Sequence, residues 1–279
     1  MPYQRKPRFA GSFYPLDKIK LEETIDYLLS RISKIKKSPP KILIVPHAGI
    51  DYSGSVAGWG FKQIEGADYY QVILLGVSHY SPFDFAAIFD KGGWETPLGS
   101  VFIDEDLSSK IINPQHGIVS QPKIHEPEHS LEVQLPFLQK VLSNFKIVPI
   151  LLGFISEETK TALVRKIAEN LSPNTLLVVS SDLSHYPSDE TARRVDQKTI
   201  NAILSGNPVS FRDTIEELEK TQKIETAACG KAAIEIALLI GQKLGNFSFE
   251  LIKYANSSET FGDKDRVVGY AAIGAWETL

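Results

Sequence analysis

The chain has 279 residues, of which 43% are hydrophobic and 23% are charged, and its formal net charge is −4. This composition predicts a single folded domain over 1–279 and excludes global disorder, and the lack of a basic block interleaved with aromatics argues against nucleic acid or an anionic membrane as partner. Because Cys229 is the one cysteine and no signal-like or roughly 20-residue apolar segment is visible, we expect a cytoplasmic protein without disulfides or a membrane anchor.

Short apolar runs rich in branched residues alternate with amphipathic helical patterns along the chain. This alternation predicts an α/β fold with a mostly parallel central sheet whose two faces are covered by crossover helices. In chain order, the predicted elements are helix 21–33, strand 42–45, helix 56–63, strand 72–77, helix 130–142, strand 147–152, helix 157–170, strand 176–179, helices 190–204 and 230–244, and strands 247–254 and 267–273.

Two regions carry no strong signal for a buried element. Residues 83–99, with Trp94 and Pro97 among turn-forming residues, are predicted to be a surface excursion. His116 and His125 do not follow an apolar strand and are predicted to lie on the surface.

Three of the predicted strands lead directly into polar residues that include a histidine. Strand 42–45 leads to His47, strand 72–77 to His79, and strand 176–179 to Asp182 and His185. Ligands of open parallel sheets bind outside the carboxyl ends of the strands, so these side chains should emerge at one edge. A lone histidine there is more often a hydrogen-bonded turn residue, but three at equivalent positions favour a shared site.

The residue types in this set are metal ligands. Two neutral imidazoles and one carboxylate, here His47, His79 and Asp182, are the ligands of a facial triad on iron, and the same groups suit zinc or copper. His185 fits a fourth ligand, a residue that orients a ligand, or a proton shuttle, and the spacing does not choose among them.

Cys229 directly precedes the predicted helix 230–244. Backbone N–H groups and the positive end of the helix dipole would favour its thiolate there, which makes it a candidate ligand or nucleophile. The alternative is a small buried hydrophobe, the common state of a lone cysteine. The nearby histidines favour the site.

Acidic residues and a histidine precede the predicted helix 130–142. Glu126 and Glu128 are predicted to be cap and dipole partners of that helix. A histidine beside a helix N-terminus is discouraged from protonation, so His129 is a candidate neutral base or donor to a bound anion, with a cap contact as the alternative.

Motifs spread over nearly the whole chain resemble those of the MEMO family, and their number and order make the resemblance specific. They are RKPRFAGSFYP at 5–15, PHAG at 46–49, GVSH at 76–79, TPLG at 96–99, EHSLE at 128–132, SSD at 180–182, CG at 229–230 and VGYAA at 268–272.

The resemblance implies an α/β/α sandwich similar to that of class III, LigB-type extradiol dioxygenases, which are non-haem iron enzymes that open catechol rings. It implies a pocket centred on His47, His79 and Cys229, with Asp182 and His185 adjacent. Those enzymes hold iron with two histidines and a glutamate, and Cys229 stands here in the place of the glutamate. Animal members of the family are described as adaptors in cell motility signalling and as metal-dependent redox proteins.

Functions of different classes therefore compete. The first is a metal-dependent redox or dioxygenase-like enzyme with iron or copper, zinc being left open, in which His47 and His79 bind the metal, Cys229 or Asp182 completes the site, and His129 or His185 moves protons. The second is a binding module that recognises a small molecule or peptide without turnover. A metal-free hydrolase with Cys229 as nucleophile is a third reading without a recognisable signature.

Overall fold

A computed structural model describes residues 3–222, 224–245 and 247–278. Its strands are β1 (Gln4–Arg5), β2 (Ile42–Val45), β3 (Gln71–Val77), β4 (Ala86–Ile88), β5 (Gly93–Thr96), β6 (Gly99–Phe102), β7 (Ile118–Ser120), β8 (Lys146–Leu152), β9 (Thr175–Ser180), β10 (Phe247–Asn256) and β11 (Gly269–Glu277). Its α-helices are α1 (Lys18–Ser30), α2 (Ile50–Lys62), α3 (Glu105–Ile111), α4 (Leu135–Val141), α5 (Glu157–Asn170), α6 (Asp189–Leu204), α7 (Pro208–Thr221), α8 (Lys231–Leu244) and α9 (Ser258–Phe261).

The described strands build one large sheet in the order β10-β11-β2-β9-β3-β8-β4-β7, and β1, β5 and β6 build a small one. The four central strands, β2, β9, β3 and β8, are parallel, whereas β11 runs antiparallel to β2 and β4 antiparallel to β8. The predicted α/β fold with a mostly parallel sheet is confirmed. Val179 is the register partner of both Ile44 and Leu75, so β9 lies between β2 and β3. The three strands that lead to the predicted site residues are therefore consecutive in the sheet.

Burial on both faces explains why these strands are apolar without alternation. In β2, Ile42 and Ile44 pack into one core and Leu43 and Val45 into a second core on the opposite face. Successive side chains of a strand point to opposite faces, so each strand contributes to both cores. The sheet is therefore the middle layer between two layers of helices.

Helix starts differ from the predictions where local capping decides them. α1 begins three residues earlier than predicted because Asp17 caps it, accepting a hydrogen bond from Lys20 N at 2.9 Å. The predicted helix 130–142 begins only at Leu135: Pro136, which lacks an N–H, fits the first turn of α4, and a 3-10 turn, Glu132–Gln134, precedes it.

The prediction of a surface excursion at 83–99 is wrong. Residues Ala86–Ile88 form β4 in the large sheet with no exposure, and Trp94 is fully buried in β5. The guanidinium of Arg5 lies 4.3 Å from the centre of the Trp94 ring. Strands of three or four residues are too short to show a period, and their pairing is decided by distant partners.

Among the described residues, we find no helix that is long and apolar enough to cross a membrane.

Candidate metal centre

The carboxyl ends of β2, β3 and β9 bring the predicted site residues to one edge of the sheet. His47 follows β2, His79 follows β3, and Cys229 reaches the same point from the loop before α8. Ligand atoms of His47, His79 and Cys229 all lie within 4.8 Å of one another. The two imidazole rings meet edge to face with centroids 5.0 Å apart, and Cys229 Sγ lies 3.3 Å from His47 Nε2.

Hydrogen bonds fix the tautomer of His47. Ser180 Oγ donates its one proton to Ser130 O at 2.7 Å and accepts from Gln134 Nε2 at 2.9 Å. His47 Nδ1 lies 2.9 Å from the same oxygen, which has no second proton to give, so Nδ1 carries the ring hydrogen. Burial lowers the pKa of His47 well below its ordinary value. A neutral imidazole therefore presents the lone pair of Nε2 towards Cys229.

Glu128 fixes His79 in the same way. Its carboxylate is 1% exposed and accepts hydrogen bonds from His79 N at 2.7 Å and from His79 Nδ1 at 3.0 Å. Burial acts to raise the pKa of Glu128, but His129 and His79 beside the carboxylate outweigh it and hold that pKa well below its usual range. Because an ionised carboxylate only accepts, Nδ1 of His79 carries the hydrogen and Nε2 is bare.

Close backbone packing brings Cys229 into the cluster. Gly230 N donates to Ser181 Oγ at 2.9 Å, and a Cβ at Gly230 would lie 2.6 Å from Ser180 O, so only glycine permits this approach. Cys229 Sγ accepts from Asp182 N at 3.2 Å. Burial and the nearby Asp182 raise the pKa of the Cys229 thiol, which is opposite to the prediction of a favoured thiolate.

Asp182 and His185 lie beside this cluster. Asp182 is 4% exposed, and its Oδ1 accepts hydrogen bonds from His47 N at 2.8 Å and Ala48 N at 3.3 Å. Among the described residues, the cluster of close ligand atoms includes His47, His79 and Cys229 but not Asp182. His185 Nε2 is buried and has no hydrogen-bond partner in the described part of the chain, and burial lowers the pKa of His185.

His129 forms an aromatic wall of the site. Its ring lies 4.8 Å from that of His79 and 5.3 Å from that of His47, measured between centroids. Its Nδ1 is 3.2 Å from Glu128 Oε1 but outside hydrogen-bond geometry. Because α4 begins six residues later, His129 does not occupy the helix N-terminus that the sequence predicts.

The N-terminal segment continues that wall. The rings of Phe13 and Phe9 lie 4.7 Å and 5.6 Å from the ring of His129. Glu132, which is fully buried, anchors the segment by accepting hydrogen bonds from Phe9 N at 2.8 Å and Tyr14 Oη at 2.6 Å. The buried carboxylate of Glu132 thus holds the wall, and it lies four residues after Glu128, which orients His79.

The sequence prediction for His125 is wrong. It is fully buried rather than on the surface, and its Nε2 lies 3.1 Å from Ala87 O. Burial and the Arg5 cation lower the pKa of His125 to about 3. His116, by contrast, is partly exposed and pairs with Glu158 at 2.8 Å between Nδ1 and Oε1.

Comparison with known proteins agrees with the motifs. The family described as Memo-like protein matches residues 5–274. A MEMO1 family protein of Thermoplasma volcanium is 36% identical over 276 residues, which are 97% of this chain and 98% of that protein. A MEMO1 family protein of Aquifex aeolicus is 37% identical over 271 residues, covering 96% and 98% of the two chains.

A solved structure shares the fold without close sequence similarity. An uncharacterized protein from Escherichia coli K12 superimposes with a TM-score of 0.50 at 10% identity, over 84% of this chain and 99% of that one. This similarity concerns the fold alone.

Proposed function

Because the chain belongs to the Memo-like protein family, we propose that it is a metal-dependent redox protein whose metal ion is held by His47, His79 and Cys229. The observation that carries the proposal is the set of three donor atoms within 4.8 Å of one another. The Nδ1 atoms of His47 and His79 donate hydrogen bonds to Ser180 and Glu128, so both Nε2 atoms are available as ligands.

The donor chemistry fits iron or copper. A thiolate is a soft ligand that suits Cu(I), zinc and iron, and imidazole suits iron, copper and zinc, so zinc also remains compatible with these donors. The thiol must lose its proton when a metal binds, and a coordinated cation favours that loss even where burial opposes it. When bound, iron or copper supplies electron transfer and Lewis acidity, whereas zinc supplies only the second.

Residues next to the ligands are suited to orient and to move protons. Asp182 Oδ1 holds the backbone of His47 and Ala48 and thereby fixes the direction in which the His47 ring leaves β2. His185 is kept neutral by burial, and its Nε2, which has no partner within the described residues, is an available proton acceptor. His129, whose ring touches both ligand rings, is the second candidate for proton movement.

Elemental analysis of protein purified without oxygen tests the proposal. We expect about one equivalent of iron or copper per chain, and tight anaerobic binding of Fe(II) or Cu(I) to the metal-free protein. His47→Ala should abolish this binding, whereas the matched variant His116→Ala, on the partly exposed histidine, should leave it unchanged. Equal metal content in the wild type and His47→Ala would overturn the proposal.

A non-catalytic binding module for a small molecule or peptide is the second candidate, favoured by the aromatic wall of Phe9, Phe13 and Tyr80 around His129. Such walls bind apolar groups without requiring a metal or proton transfer. Ligand binding to His47→Ala at wild-type affinity, in the absence of metal, would favour this module over the redox protein.

A further inference from the structure

A cavity lies at the opposite edge of the sheet from the metal cluster. Its volume is about 550 Å³, and it sits where β2 begins and β11 ends. Lys41 directly precedes β2 and His47 follows it, and a separation of six residues along an extended chain corresponds to at most roughly 20 Å. The cavity is lined by Ser38, Pro39, Lys41, Tyr69, Leu171, Pro173, Trp276 and Glu277.

Lys41 is the unusual member of this lining. Its side chain is 6% exposed, and Nζ donates a hydrogen bond to Ser172 O. Within the described ranges, no carboxylate oxygen lies within 4.0 Å of Nζ, although buried cations are ordinarily paired. Burial lowers the pKa of Lys41 to about 8, against an opposing influence of Glu277. The ammonium therefore has no counterion of its own at close range among the described residues.

The aromatic and proline residues of the lining present mainly carbon to the cavity because the polar atoms of the two aromatic side chains are already used, whereas Ser38 and Glu277 are polar members of the lining. Tyr69 Oη donates to Pro40 O at 3.0 Å, and Trp276 Nε1 donates to Ser38 O at 2.8 Å. These two rings and the side chains of Pro39 and Pro173 offer the cavity mainly carbon surface. A pocket of a few hundred cubic ångströms with apolar walls and one charged donor is typical of small-molecule sites.

We propose that this cavity binds a small organic carboxylate with an apolar or aromatic body, whose carboxylate pairs with Lys41. The anion supplies the missing countercharge, and the body lies against the rings of Tyr69 and Trp276. Glu277, an exposed carboxylate at the cavity, opposes the ligand charge and limits the affinity. The site is separate from the metal centre and does not depend on the function proposed there.

Calorimetric titration with phenylacetate and its neutral analogue phenylacetamide tests the proposal. We expect phenylacetate to bind once per chain and about tenfold more tightly than the amide. Lys41→Met, which keeps the aliphatic stem, should remove this preference, and Glu277→Gln should tighten phenylacetate binding a few-fold. Lys146→Met, at the exposed first residue of β8 on the same edge, is the matched control and should bind as the wild type does.

Several results would overturn the proposal. One is that phenylacetate does not bind at concentrations up to about 10 mM. The others are equal affinity for the acid and the amide, and a preference for the acid that is unchanged in Lys41→Met. If Lys41→Met does not fold, the acid–amide comparison in the wild type and in Glu277→Gln still decides. A carboxylate can also bind a metal, so the titration is repeated with His47→Ala, and loss of binding there would place the ligand at the metal centre instead.

Discussion

Glu128 holds His79 at two points, through the backbone N at 2.7 Å and through Nδ1 at 3.0 Å. The same carboxylate accepts from His129 N and Ser130 N, so all its contacts are donors. Glu128→Gln replaces one carboxylate oxygen with an NH₂ group, which faces these donors and cannot accept from them. The tautomer of His79 is then held less strongly. We predict that metal affinity falls about 10- to 100-fold in Glu128→Gln, measured by anaerobic competition titration.

Glu126→Gln is the matched control for this prediction, because Glu126 is exposed and lies two residues away. It should bind metal as the wild type does. Urea unfolding of the metal-free proteins shows whether Glu128→Gln is still folded. Wild-type metal affinity in a folded Glu128→Gln would show that the carboxylate does not orient a metal ligand.

Cys229→Ser should change the preference among metals more than it changes the fold. A serine oxygen is a harder donor than sulfur, so Cu(I) affinity should fall by about a hundredfold or more and Fe(II) affinity by less. The ratio of the two affinities in one variant is an internal control against general damage. An unchanged ratio would remove Cys229 from the metal ligands.

The sequence places three histidines after apolar strands because the signal for such a position is local. His47, His79 and His185 each follow an apolar strand, and parallel strands end at one edge whatever their order in the sheet. It could not show that β2, β9 and β3 are neighbours, because pairing between strands more than 90 residues apart is decided by the whole core.

The residues that orient the histidines were missed for a related reason. Acidic residues before a helix usually are caps, which is what the sequence predicts for Glu128, and the SSD motif that contains Ser180 does not indicate what its hydroxyl contacts. Their roles arise from contacts with residues at least 49 positions away in the chain, such as Glu128 with His79 and Ser180 with Ser130. Helix α7 was missed although Asn207 and Pro208 at its start, and Phe211, Ile215 and Leu218 along it, carry the usual signals.

Asp196 should make the stability of the protein fall as pH rises from about 4 to above 6. It is fully buried, and burial raises its pKa from 3.8 to about 6 in the folded chain. Between those values the folded state binds more protons than the unfolded state. The contribution of Asp196 to the free energy of unfolding is therefore fully present below about pH 4 and is lost above about pH 6. A shift of about two pKa units corresponds to about 3 kcal/mol.

Asp196→Asn isolates this contribution, because other titrating groups cancel when the two proteins are compared. Wild type should lose about 3 kcal/mol of unfolding free energy relative to Asp196→Asn between pH 4 and pH 8, measured by urea denaturation. Asp213→Asn, an exposed position on α7, should run parallel to the wild type. Parallel curves for Asp196→Asn and the wild type would contradict the raised pKa.

A redox enzyme and a binding module differ in their need for proton transfer rather than in their metal ligands. A catalyst needs a proton-transfer group near its substrate. His185 suits that role because burial keeps it neutral and its Nε2 has no partner in the part of the chain that the structure describes. We therefore predict that Fe(II)-loaded protein consumes oxygen with a catechol-type substrate and that His185→Ala or His129→Ala lowers this rate by about a hundredfold at unchanged metal content. An oxygen electrode measures oxygen consumption and the absorbance of the products measures ring cleavage, with His116→Ala as control.

A binding module does not need a proton-transfer group. Full metal occupancy without turnover over a broad panel of catechols would therefore exclude ring-opening chemistry. Oxygen consumption without ring cleavage would retain the redox function and reject only the dioxygenase reaction.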